Sequence, residues 1–287
     1  MIAIVDGGST KCDWVILENS GKISQKTESI GFNPNIINAD LIPQEIEKNP
    51  HLFLIKNQLN YIYFYGSGCG TVENALLVET QLQKVFPYAK VTVKEDLTAA
   101  AYAAYNGKPA IVCILGTGSN SCYFDGESIR RDLPSLGFLI GDEGSGSALG
   151  KQLLRRFFMK KLPKDLHEDF MATYHLTIED AIRNMYHNPR ANAYLAEFNK
   201  FVVLKKSHPY FQNMIFDEMK NFFEYQVLPY DEAREAEINF IGSIAFVYED
   251  ILRSAAAELN LTVGKIVQRP IESLVEYHKK YIFNQEE

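Results

Sequence analysis

The chain has 287 residues, 46% of them hydrophobic, with 29 basic against 36 acidic side chains and a formal charge of −7. At about 100–200 residues per domain this is two domains' worth of core-forming sequence. The acidic balance excludes a broad nucleic-acid footprint or an anionic membrane surface as partner, since both need clustered Lys and Arg.

In chain order, residues 2–5 (IAIV) form a β-branched run that ends at Asp6-Gly7-Gly8-Ser9-Thr10. A second strand covers Cys12–Glu18, a turn Asn19–Lys22, and a third strand Ile23–Ile30. A polar helix is predicted over Asn38–Asn57, with Pro43 in its first turn and Pro50 breaking it. Tyr61–Tyr65 reads as a buried strand closed by Gly66-Ser67-Gly68, and Thr71–Val85 as an amphipathic helix. Val91–Val93 is a strand, and Leu97–Tyr105 an alanine-rich helix stopped by Asn106-Gly107.

Ala110–Leu115 then begins again as a buried strand, followed by Gly116-Thr117-Gly118-Ser119-Asn120 and the strand Ser121–Phe124. A shift of 110 positions sets Ile4 on Ile114, Gly8 on Gly118, Ser9 on Ser119 and Cys12 on Cys122, which predicts two related halves. The second half continues through a glycine-rich stretch, Gly141–Gly150, and helices near 147–162, 165–188 and 191–204. A strand at Ile238–Ile241, a helix over Ile244–Asn260, and a final strand and helix complete it. The expected domains are 1–107 and 108–287, with the last helix free to pack on the first domain.

No apolar run approaches the ~18 residues of a membrane helix. MIAIVDGG lacks the basic region of a signal peptide, so a cytoplasmic protein is expected. The four cysteines (Cys12, Cys69, Cys113, Cys122) form no CxxC and the histidines are isolated, so neither disulfides nor a structural metal is expected.

The two glycine and hydroxyl turns suit phosphate. Glycine lets the backbone approach an anion, and free N–H groups in a turn form an anion-binding concavity. Ser9, Thr10, Thr117 and Ser119 add hydroxyls, and Lys11 adds a point charge. Neither a Walker loop nor a dinucleotide fingerprint is satisfied: Ser145–Gln152 lacks the first glycine and the final hydroxyl, and neither GxG is completed. Asp6, at the end of the first strand, is placed to orient Mg²⁺ through its water shell. Asp96 precedes a helix and reads either as its N-cap or as a general base toward a substrate hydroxyl, with Glu95 as the neighbouring alternative. Asp142-Glu143, among glycines, could cap a helix or hold sugar hydroxyls.

The set Asp6–Lys11, Gly116–Asn120, Gly141–Ser145 and Phe240-Ile241-Gly242-Ser243-Ile244 resembles the N-acetylglucosamine kinase branch of the BadF/BadG/BcrA/BcrD-type ATPase family, within the actin, heat-shock ATPase and sugar-kinase superfamily. The resemblance implies an α/β fold of two ribonuclease-H-like, actin-like ATPase domains with an interdomain nucleotide cleft. It implies ATP and Mg²⁺ as cofactors, with ATP contacted by Gly8, Ser9, Thr10, Lys11, Thr117, Gly118, Gly242 and Ser243, and Mg²⁺ steered by Asp6. It implies Asp96 as catalytic base, and Asn33, Ser67, Gly68, Asp96, Asn120 and Asp142 as sugar-binding residues. The expected reaction is phosphorylation of an N-acetyl hexosamine, foremost N-acetylglucosamine at O6, with glucosamine and N-acetylmuramic acid as alternative sugars. The alternative from another class is an ATPase that switches a partner protein. A small-molecule sugar is the expected partner, without nucleic acid or membrane, and a homodimer is compatible.

Overall fold

The computed structural model describes residues 1–9 and 11–283; Thr10 and residues 284–287 lie outside the described residues. The chain divides into two compact units, Met1–Tyr105 with Arg269–Glu287, and Asn106–Gln268. The tail from Arg269, which an expected 108–287 domain would include, therefore packs with the first unit.

The first unit contains β1 (Ile2–Gly7), β2 (Lys11–Leu17), β3 (Ile23–Ile30), α1 (Ile42–Glu47), α2 (Pro50–Ile55), β4 (Tyr61–Gly66), α3 (Val72–Val85), β5 (Lys90–Glu95) and α4 (Asp96–Ala104). Its five-stranded sheet runs β3-β2-β1-β4-β5. The hairpin strands pair antiparallel, whereas β1, β4 and β5 are parallel and joined by helical crossovers. Ala3, Ile4 and Val5 are all fully buried, because helices cover both faces of the parallel part. Trp14 is a core residue, 1% exposed, with its Nε1 donating to Ser29 Oγ at 2.9 Å. The polar 38–57 segment is two short helices, because Asn49 caps the second through His51 N and Leu52 N and Pro50 opens it.

The second unit contains β6 (Ala110–Leu115), β7 (Ser119–Phe124), β8 (Ile129–Arg130), α5 (Gly137–Ile140), α6 (Gly146–Phe158), α7 (Lys164–Tyr174), α8 (Ile178–His187), α9 (Ala191–Glu197), α10 (Asn199–Leu204), α11 (Pro209–Gln226), β9 (Glu237–Ile241), α12 (Ser243–Val247), α13 (Glu249–Glu258) and β10 (Val263–Val267). Its sheet runs β8-β7-β6-β9-β10, which repeats the order of the first sheet. The predicted 165–188 helix is broken at His175, which sits at φ 46°.

The internal repeat is one of topology and not of residue register. A 110-residue shift would carry the Gly7–Cys12 pair onto Thr117 and Cys122, yet Cys122 stands opposite Val112. The second hairpin is tighter, with Leu115 opposite Ser119 and Gly116 N donating to Gly118 O at 3.0 Å.

The tail forms α14 (Ile271–Tyr277) and one π turn through Ile282. It lies on α4, with Tyr277 stacked on Tyr102 at 4.2 Å. His278 is fully buried, and its Nε2 is hydrogen-bonded to the Tyr65 hydroxyl at 2.8 Å. Burial pushes the His278 pKa down to about 3, so the imidazole is neutral.

Candidate functional site

In the first unit the ends of β1, β4 and β5 gather the loops that carry the expected site residues. The β1–β2 turn is closed by Gly8 N donating to Lys11 O at 2.8 Å. Ser67 N, just past β4, donates to Gly7 O at 2.7 Å, and Ser9 Oγ lies 3.4 Å from Ser67 Oγ. The segment Gly31-Phe32-Asn33 presses on the same turn, since a Cβ on Gly31 would stand 2.4 Å from Gly8 O. Phe32 anchors that segment, 1% exposed and stacked on Phe64. Asn33 Nδ2 then donates to Ser9 Oγ at 2.9 Å, while its Oδ1 accepts Asn35 N at 3.0 Å. Gly68 adopts φ 81° against Asn33, where a Cβ would meet Asn33 Oδ1 at 2.2 Å.

Asp96 is the first residue of α4, and Glu95 occupies the N-cap position without a side-chain cap bond. The capping role open to Asp96 in the sequence is therefore corrected: its carboxylate sits in the first helical turn, beside the positive end of the helix. Burial nevertheless raises the Asp96 pKa, against hydrogen bonding from Ser67 and the backbone N–H groups of Leu97 and Asp96. Asp6 is pushed up to about 7, first by burial, then by the charge of Asp96 and of Asp13, with Lys11 opposing. Two carboxylates that crowd each other in this way form a donor set suited to a cation. Lys11 Nζ is held by Asp13 at 2.8 Å and Glu28 at 3.0 Å. The expected phosphate cation is thus an ion-paired group on the β2–β3 hairpin.

In the second unit the β6–β7 turn abuts α6. Gly146 N and Ser147 N donate to Gly116 O and Thr117 O at 2.9 and 3.0 Å. Ser145 caps the helix by accepting Ala148 N. Asp142, at φ 59°, is 8% exposed and accepts Ser119 N through Oδ1 at 3.1 Å. A Cβ on Gly118 would touch the same carboxylate at 2.8 Å. Burial raises the Asp142 pKa, and the Ser119 N–H opposes. Glu143 Oε2 is 3.5 Å from Gln226 Nε2, whereas Asn120 Oδ1 accepts the N–H of its neighbour Ser121. The glycine-rich segment is fastened by the buried Glu218, which accepts Gly144 N at 3.2 Å.

A cavity of about 460 Å³ opens beside this turn. Gly116, Thr117 and Gly146 line one side, and Ser243 with Ile244 the start of α12. Gly242, at φ 126°, brings that helix against β6, where a Cβ would meet Leu115 O at 2.2 Å. The opposite wall is Ala196, Asn199, Lys200, Val203 and Leu204 of the α9–α10 region. Sequence reading missed this wall, because no motif distinguishes it from an ordinary amphipathic helix pair. The expected residues thus fall in two groups: Asp6, Gly8, Ser9, Lys11, Asn33, Ser67, Gly68 and Asp96 in the first unit, and Thr117, Gly118, Asn120, Asp142, Gly242 and Ser243 in the second. Thr10 lies outside the described residues.

The paired sheets with their glycine turns are matched by a known family over residues 5–207. The chain belongs to the BadF/BadG/BcrA/BcrD ATPase family. As a member of that ATPase family it uses ATP. Over 208 residues it is 24% identical to the N-acetyl-D-glucosamine kinase of Dictyostelium discoideum, a stretch that is 66% of this chain and 65% of that protein. The aligned region thus spans just under two thirds of that relative's length. A crystal structure from Porphyromonas gingivalis, described as a candidate N-acetylglucosamine kinase, is 34% identical with a TM-score of 0.92, covering 98% of this chain and 99% of that one. Another, from Chromobacterium violaceum and described in the same way, shares the fold at 15% identity and a TM-score of 0.72, covering 96% of this chain and 98% of that one. The family and its solved members establish the actin-like ATPase and sugar-kinase fold for this chain. Among the described residues, no helix is long and apolar enough to cross a membrane.

Proposed function

We propose that the protein is an ATP-dependent kinase for an N-acetyl hexosamine, foremost N-acetylglucosamine at O6. The observation that carries this reading is the cluster of Ser9, Asn33, Ser67 and Asp96 on the first unit. It combines short polar groups suited to sugar hydroxyls with a carboxylate of raised proton affinity. The names of the Dictyostelium and Porphyromonas relatives support the choice of sugar.

In this reading Asn33, Ser67 and the Gly68 backbone orient the sugar, and Asp96 takes the proton of the acceptor hydroxyl as that oxygen attacks the terminal phosphorus of ATP. A raised pKa makes Asp96 a better proton acceptor than an ordinary carboxylate. Asn120 and Asp142, carried by the second unit, are the further candidates for holding the sugar. Gly8, Ser9, Thr10, Thr117 and Gly118 receive phosphate oxygens, and Gly242-Ser243 the nucleoside. Lys11, held by two carboxylates, contributes long-range charge. Asp6 would hold Mg²⁺ through its waters; the ion would neutralise charge on the transferring phosphoryl group. Catalysis is positioning and charge stabilisation. The same reading takes the reaction to be cytoplasmic, where ATP is available.

A coupled ADP-release assay over N-acetyl hexosamines, free hexosamines, N-acetylmuramic acid and hexoses tests this. Sugar-dependent turnover, highest with N-acetylglucosamine, is expected. ATP hydrolysis indifferent to every sugar would reject the kinase reading in favour of a switch acting on a partner.

A further inference from the structure

The cavity beside the β6–β7 turn has apolar sides, from Ala196, Val203, Leu204, Ile244 and Val247, that suit the faces of a flat ring. Apolar contact alone does not distinguish one base from another. The polar groups on its lining are the hydroxyls of Thr117 and Ser243, the Lys200 side chain, and the carboxamide of Asn199. Thr117 lies on the turn and Ser243 at the start of α12, and Lys200 reaches outward to within 3.8 Å of Glu197.

Asn199 differs from these. It is 6% exposed, and the Tyr248 hydroxyl, on a residue 1% exposed, donates to its Oδ1 at 2.8 Å. Burial raises the Tyr248 pKa, so the phenol keeps its proton and remains a donor throughout the physiological range. The bond fixes the plane of the carboxamide. Nδ2 is left with no partner among the described residues, on a side chain that lines the cavity. That N–H is open to the cavity, where a ligand acceptor in the right place would take it in exchange for water.

We propose that Asn199 reads the base of the nucleotide: its Nδ2 donates to a ring nitrogen of adenine, and Tyr248 is the positioning residue that aims it. The proposal rests on the reading of this cavity as the nucleoside pocket, and it deepens that reading by naming what selects the base. Val203 and Leu204 supply the apolar slot, and Asn199 supplies the direction.

Calorimetry with ADP, without sugar, tests it on the intact chain. Asn199→Leu should weaken ADP binding about tenfold, the size of one net hydrogen bond, and leave inorganic pyrophosphate binding unchanged. Tyr248→Phe should weaken ADP by a smaller factor and also spare pyrophosphate. Of the 1-deaza, 3-deaza and 7-deaza analogues of ADP, one should lose about tenfold on the wild type and lose nothing further on Asn199→Leu. The proposal is overturned if Asn199→Leu binds ADP with wild-type affinity, or if all three analogues bind the wild type as tightly as ADP. Should Asn199→Leu fail to fold, the analogue series on the wild type decides alone. None of these measurements needs a sugar, so absence of sugar-dependent turnover would reject the kinase reading without touching this one.

Discussion

Asn33 Nδ2 donates to Ser9 Oγ at 2.9 Å across 24 residues of sequence. The bond joins the loop after β3 to the β1–β2 turn and orients both ends of the carboxamide, because Oδ1 is engaged by Asn35 N. A change in either loop should therefore be felt in the other.

Gly68 tests that coupling. A side chain there meets both a left-handed backbone and a Cβ position 2.2 Å from Asn33 Oδ1. Gly68→Ala should lower stability by about 1–2 kcal/mol. It should also raise the sugar KM several-fold and, through the Asn33–Ser9 bond, the KM for ATP by a smaller factor, as steady-state kinetics against each substrate will show.

Asp96→Asn should lower kcat by about 10²–10⁴ while ADP affinity is retained. Its pH profile gives a second reading. The base must be unprotonated, and burial raises its pKa. The acid limb of kcat/KM should accordingly lie above the ordinary carboxylate range and vanish in the residual activity of the variant. Wild-type turnover in Asp96→Asn would transfer the role to Glu95.

Asp6 makes a prediction about stability. Its pKa rises from 3.8 to about 7 in the folded protein. The folded state then binds the extra proton between those values. The corresponding stability is complete below about pH 4 and is lost as pH climbs through 7. Asp6→Asn should remove this slope, so that in chelator the variant gains on wild type over that interval, by on the order of 2–4 kcal/mol at pH 8. Thermal unfolding as a function of pH measures it. Added Mg²⁺ should stabilise the wild type increasingly over the same interval and Asp6→Asn little.

Gly242→Ala places a methyl 2.2 Å from Leu115 O, which is backbone and cannot swing away. The end of β6 must move, and the β6–β7 turn with it. ADP affinity measured by calorimetry should fall at least tenfold and the melting temperature should drop.

Much of this was legible in the sequence because it rests on local rules. The β1–β2 and β6–β7 turns announce themselves as glycine and hydroxyl clusters after β-branched runs, and Pro50 and Asn49 mark a helix boundary by capping chemistry. What escaped depends on distant partners. The wall formed by Asn199 and Val203 becomes one only because α12, about 40 residues on in the chain, lines the same cavity. Lys11 looks available to phosphate until β3 brings Glu28 beside it. The β6–β7 loop is one residue shorter than its counterpart, three residues against four, and moved the repeat out of register even though Gly8 and Gly118 align in the sequence.

The return of the tail to the first unit also dictates an order of maturation. Residues 106–268 are contiguous, so every segment of the second unit has been made once Gln268 is added. The first unit is begun earlier but lacks Leu274, Val275 and His278 until the ribosome has passed them. Until then Tyr65 and Tyr102 await the residues that cover them. The half of the molecule that carries Asp96 is therefore the last to be completed, so a nascent or truncated chain should acquire its nucleotide pocket before it has a functional acceptor site.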